Sequence, residues 1–176
     1  FMQLVVRRDV LMNVWISIKG VQHLGGESNF MEFDTLGFME RTNDGYCITY
    51  DEPDTTGMEG VTTSMIINSS AITLKRQGAA NSLMVLEKGK RTMFNYDTGY
   101  GNLIMGVYAR DIQSSLADCG GDFDFHYTLD INSGMASAHD VYVSVRAAHS
   151  NQPPAGKRRP GSAVRRRKKS MKRKEI

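Results

Sequence analysis

The chain has 176 residues, 40% of them apolar and 9% aromatic, which gives room for one domain with a hydrophobic core and is too apolar for a disordered chain. The formal charge of +3 conceals a split, because the last twenty residues hold 11 of the 22 Lys and Arg but one of the 19 acids, leaving 11 basic and 18 acidic residues elsewhere. An acidic body of −7 thus carries a basic tail of +10, and no apolar run approaches the roughly 18 residues of a membrane-spanning helix.

Residues 1–11 read as an extension. Arg7, Arg8 and Asp9 interrupt its apolar part, as a signal peptide would not allow, and Met2 and Met12 are both candidate starts. From residue 13 the period is two: Val14, Ile16 and Ile18 share a face and predict a strand over 13–22. Gly25-Gly26 turns the chain into a second strand over 29–40, where Gly37 marks a bulge or bend. Asn43-Asp44-Gly45 is a hairpin signal leading to Tyr46, Ile48 and Tyr50. After a loop over 52–60 come Val61, Thr63, Met65 and Ile67, a turn at Asn68-Ser69-Ser70, and then Ile72, Leu74 and Arg76. A loop over 78–81 precedes a strand marked by Leu83 and Val85 and closed by Lys88-Gly89-Lys90. Thr92, Phe94 and Tyr96, a loop over 97–102, and Leu103, Met105 and Val107 continue the series. Residues 108–116 read as a helical turn or a continued strand, and a strand carried on to the Cys119-Gly120-Gly121 turn is preferred.

The clearest alternation follows: Phe123, Phe125, Tyr127, Leu129 and Ile131 interleave with Asp122, Asp124, His126, Thr128 and Asp130. Val141, Val143 and Val145 form the last strand. Pro153 and Pro154 cannot extend a sheet and separate a body over 12–149 from a disordered basic tail over 150–176. Nine or ten strands with short turns, and no helix of ten residues, predict an all-β fold. The preferred form is an antiparallel meander closed into a barrel of 8–10 strands, with a Greek-key sandwich as the alternative.

The stretches FMEFDTLGFM (30–39), YDEPDTTGMEGVTTSMIIN (50–68), ITLKRQG (72–78), YDTGYGNLIMGV (96–107) and GGDFDFHYTLDI (120–131) resemble, in order, those of the bacterial YwiB-like family of calycin-type β-barrels. That resemblance covers about 14–145 and implies a lipocalin-like barrel in a cytoplasmic protein. It supplies no substrate, cofactor or catalytic residue, and it does not extend to residues 1–11 or to the tail.

Arg76 is in phase with Ile72 and Leu74, so its guanidinium faces the barrel interior, where it must be paired. Glu32, Glu52, Glu59 and Glu87 are candidate partners. Arg76 is then either an anchor for an anionic ligand, an internal ion pair closing one barrel end, or a strand-end residue with its head in water. With Glu52, Glu59, Tyr96 and Tyr127 it makes up a candidate ligand-binding set for a small apolar or anionic molecule. Phe33, Tyr50, Met65, Phe94, Met105, Phe123 and Phe125 are further interior candidates, by packing or around a cavity.

Other chemistry is thinner. The glycines of 55–60 and 99–101 fit turns better than phosphate loops. Asp122, Asp124, His126 and Asp130 read as a solvated acidic face, and no metal set is assigned. Cys47 and Cys119 read as free thiols of a reducing compartment. No nucleophile, general acid or cofactor motif emerges. In the tail, Arg165, Arg166, Arg167, Lys168, Lys169, Lys172, Arg173 and Lys174 read first as a solvated arm or one lying back on the acidic barrel, and second as a site for non-specific binding of a polyanion such as nucleic acid by counterion release. The first expectation is therefore a cytoplasmic, non-enzymatic module binding a small ligand or a protein. The alternatives are an RNA- or ribosome-associated protein attached by its tail, and an enzyme whose site lies at the mouth near Glu52, Glu59, Arg76 and Tyr96.

Overall fold

A computed structural model describes residues 11–149, apart from 98, 133 and the side chain of Met135. The tail residues proposed above for polyanion binding lie outside these. Ten strands follow one another: β1 (Met12–Leu24), β2 (Glu27–Arg41), β3 (Gly45–Asp51), β4 (Val61–Asn68), β5 (Ala71–Gly78), β6 (Ser82–Glu87), β7 (Arg91–Asp97), β8 (Asn102–Ser114), β9 (Gly120–Ile131) and β10 (Gly134–Ala147). A 3₁₀ turn at Asp54–Thr56 interrupts the loop between β3 and β4. Each strand pairs antiparallel with its sequence neighbours, and β10 returns to β1, so the sheet closes into a barrel. The meander is confirmed and the sandwich is not. Among the described residues no helix is long and apolar enough to cross a membrane.

Local chemistry sets the turns. Gly25 and Gly26 both have positive φ, 58° and 81°, which a two-residue hairpin needs and which glycine adopts without a Cβ penalty. The β1–β2 hairpin then runs in unbroken register from Leu24↔Glu27 to Met12↔Met39. Pairing passes through Gly37 without a shift, so the expected bulge is absent there. Gly37 serves close packing instead, since a Cβ would lie 2.4 Å from the Thr49 carbonyl oxygen. The register shifts fall at Ala109/Asp111 in β8 and Met135/Ser137 in β10.

Alternating strand direction puts the turns at 25–26, 52–60, 79–81 and 99–101 at one end, here the upper end. Those at 42–44, 69–70, 88–90 and 115–119 lie at the lower end. The lower interior is filled by branched aliphatics: Val14, Ile16, Ile48, Ile67, Ile72 and Val145 are each no more than 2% exposed. In β6 the buried pair is Met84 and Leu86, while Leu83 faces out.

The wall is uneven. β6 and β7 share a single paired position, Ser82↔Tyr96. Below it, the 88–90 turn bonds instead to β8, with the Gly89 N–H donating to the Ala109 carbonyl at 2.8 Å. β2 pairs with β3 only from Gly37↔Tyr50 to Arg41↔Tyr46, so its upper half has no strand partner on that side.

Candidate functional site

Cross-strand register assembles a polar row that no single stretch of sequence contains. Tyr50 on β3 sits opposite Thr63 on β4, Thr63 opposite Arg76 on β5, Arg76 opposite Ser82 on β6, and Ser82 opposite Tyr96 on β7. All five side chains line one cavity of about 440 Å³ in the upper half of the barrel. That volume is within the roughly 300–1,000 Å³ of small-molecule sites.

The rest of the lining is mostly apolar. Met31, Met58, Met65, Met84 and Met105 contribute thioethers, and Phe125 and Tyr127 form part of the far wall. Along β9 the rings of Phe123, Phe125 and Tyr127 stack at 6.3 and 5.9 Å, and Tyr127 stacks in turn on His139 of β10 at 4.7 Å and 4°. His139 Nε2 lies 2.7 Å from the Ser137 hydroxyl. Asn29, Phe30 and Met31 are consecutive on β2 and would normally face alternate sides, yet all three line the cavity. Met58 of the β3–β4 loop also borders the cavity, as do these residues of the upper half of β2.

Electrostatically the site is built around two charged groups that do not touch. Glu52, 8% exposed, accepts hydrogen bonds from Thr63 Oγ1 at 2.6 Å and Tyr50 Oη at 3.3 Å, both on Oε1. Arg76 has no such support: its Nε is buried and has no hydrogen-bond partner in the protein. The expected internal ion pair is not formed with any of its candidates. Glu32 pairs with Lys19 at 3.1 Å outside the barrel, and Glu87 with Lys90 at the lower turn. Glu59 is exposed, and Glu52 is bonded to its own wall.

Burial raises the pKa of the Tyr50 phenol, and the nearby Glu52 carboxylate raises it further. Burial also pushes Tyr127 up to about 12, opposed by the Arg76 charge. The Arg76 charge acts on both phenols, one on β3 and one on β9, opposing the upward shift of each. Desolvation lowers the pKa of His139, keeping the imidazole neutral against the stack.

Of the ligand-binding set read from sequence, Arg76, Glu52, Tyr96 and Tyr127 line the cavity and Glu59 does not. The αL glycines Gly57 and Gly60, at φ 72° and 75°, carry Glu59 over the outside of the loop. The sequence marks Tyr50 as an interior candidate but not as part of the polar set, and it does not mark Thr63, Ser82 or His139 as site residues. Of these three Thr63 leaves a signal, a hydroxyl in phase with Val61, Met65 and Ile67.

The acidic face of β9 is occupied by ion pairs. Arg146 holds Asp122 at 3.0 Å, Arg110 donates to Asp140 at 2.8 Å, and Arg91 pairs with Asp130. His126 lies between Asp140, at 2.7 Å, and Asp124, at 3.1 Å. Burial works against the Asp140 charge, but hydrogen bonds from His126 and His23 outweigh it and hold its pKa low. Among the described residues no group of three His, Cys, Asp or Glu is placed to hold a metal. Cys47 is partly buried and Cys119 exposed, both as thiols.

Comparisons place the barrel among known proteins. Residues 16–143 match the family model described as Domain of unknown function (DUF1934). The uncharacterized beta-barrel protein YwiB of Bacillus subtilis (strain 168) is 23% identical over 132 residues, covering 74% of this chain and 91% of that protein. The crystal structure of the ywiB protein from Bacillus subtilis matches with a TM-score of 0.70 at 20% identity, over 78% of this chain and 93% of that one. At this identity the structural likeness establishes the fold alone.

Proposed function

Because this chain belongs to the DUF1934 family, whose function is undefined, we propose from the barrel itself that it is a small-ligand-binding protein whose site is the upper cavity. The observation that carries this reading is the contrast inside one closed sheet: a filled lower interior below a cavity of about 440 Å³ lined by methionines and aromatics. A few convergent polar groups in an apolar pocket are the usual composition of a ligand site. Flexible thioethers fit their walls to a guest without a fixed shape.

The direct test is binding of the uncharged fluorophore N-phenyl-1-naphthylamine to the full chain. Saturable binding is expected, and Met105→Trp, which fills the cavity from β8, should abolish it. Native mass spectrometry of protein purified from cells should show a retained small molecule. No probe binding and no retained mass would together overturn the reading.

A second reading rests on charge rather than geometry. The +10 carried by the last twenty residues favours attachment to nucleic acid through phosphate contacts. Deleting residues 157–176 should then abolish RNA binding. Equal RNA affinity of the truncated body would remove this reading.

A further inference from the structure

Arg76 is half-buried, its Nε is fully buried without a hydrogen-bond partner, and its guanidinium makes no ion pair among the described residues. We propose that the cavity takes an apolar monocarboxylate, its head group held by Arg76 and its carbon chain lying among the methionines. This inference rests on the ligand-binding reading above and specifies the chemical class of the guest.

Three observations carry it. First, among the described residues Arg76 is the only Lys or Arg lining the cavity, and its buried Nε meets no acceptor from them. A buried polar group without a partner is costly, and guanidinium geometry matches a planar carboxylate. Second, Glu52, the acid nearest in the wall, spends its Oε1 on Tyr50 and Thr63 and makes no ion pair with Arg76. One cation sharing a cavity with one carboxylate suits a guest with a single negative charge and disfavours a phosphate dianion. Third, hydroxyl donors line the cavity together with Arg76. Ser82 is the cross-strand neighbour of Arg76, and the Tyr127 phenol, held protonated by burial, faces the same cavity from β9. Beyond them the wall offers methionines and aromatic rings to an alkyl chain.

The experiment displaces N-phenyl-1-naphthylamine from the full chain at neutral pH with decanoate, decanol or decylamine, which differ only in the head group. Decanoate should compete at least about tenfold better than decanol, the scale of a charge-assisted hydrogen bond, and decylamine should be weakest. Arg76→Gln should erase the advantage of decanoate over decanol, read as their ratio within the variant so that any change in fluorophore affinity cancels. Glu52→Gln keeps an acceptor for Tyr50 and Thr63 and should tighten decanoate severalfold by removing a like charge.

Equal competition by decanoate and decanol in the unmodified protein would overturn the carboxylate assignment and leave ligand binding standing. Preference for decylamine would overturn it in favour of Glu52 as the anchor. Failure of the fluorophore to bind at all would remove the parent reading and this one with it. The comparison of head groups needs no substitution, so it decides the question even if Arg76→Gln does not fold.

Discussion

The two halves of the barrel are made by the same alternating strands and end in opposite conditions. In the lower half Ile16, Ile48, Ile67, Ile72 and Val145 meet at the axis and exclude solvent almost completely. In the upper half the inward positions of the same strands carry Met, Phe, Tyr, Thr and one Arg, and they line a cavity instead. Stiff β-branched side chains interdigitate at short range and fill the ring, whereas long thioethers, flat rings and hydroxyls leave space between them. Inward phase therefore determines which residues see the interior, and their shape determines whether that interior is filled.

Core truncation should break this contrast most sharply. Ile72→Ala removes a side chain from the filled half and should cost about 2–5 kcal/mol in urea denaturation, whereas Met105→Ala borders space already present and should cost less than about half of that. Equal losses would mean the two halves pack alike. Next in size is the alkaline limb. Tyr127 ionises near its ordinary value of 10.0 when unfolded but at about 12 when folded, so its contribution is complete below pH 10 and is lost as pH rises to 12. Stability should fall there by up to about 1.4 kcal/mol per pH unit, and Tyr127→Phe should flatten the slope.

Arg76→Met tests the upper half from the other side. Replacing a half-buried cation whose Nε is buried and unbonded by an apolar chain should stabilise the ligand-free barrel by about 1 kcal/mol, read as a raised Tm. A lowered Tm would show that Arg76 supports the wall rather than awaiting a guest. Deletion of residues 157–176 should have the smallest effect, leaving denaturation unchanged within about 0.5 kcal/mol, since the tail follows the last strand.

The period of two in the sequence exposes the interior set well: Phe125, Tyr127, Met65 and Phe94 all face inward as their alternation requires. It fails over 83–86, where Leu, Met, Val and Leu stand in succession and no polar residue marks the outward side. Tertiary context chooses Met84 and Leu86. The polar row from Tyr50 to Tyr96 is illegible for a different reason. Its members are adjacent only because five strands share one register, and that register depends on turn lengths and barrel stagger together. Glu59 was misplaced because a loop residue has no alternation to follow, and its direction is fixed by the flanking αL glycines.

A closed sheet normally has no borders, but one rung between β6 and β7 restores two of them within the ring. Leu83 and Met93, 55% and 54% exposed, stand on either side of that slit. Glu87, Lys88, Lys90 and Arg91 crowd its lower corner. Fixed charge of this kind discourages another strand from docking, so the slit can admit water to the backbone without inviting self-association.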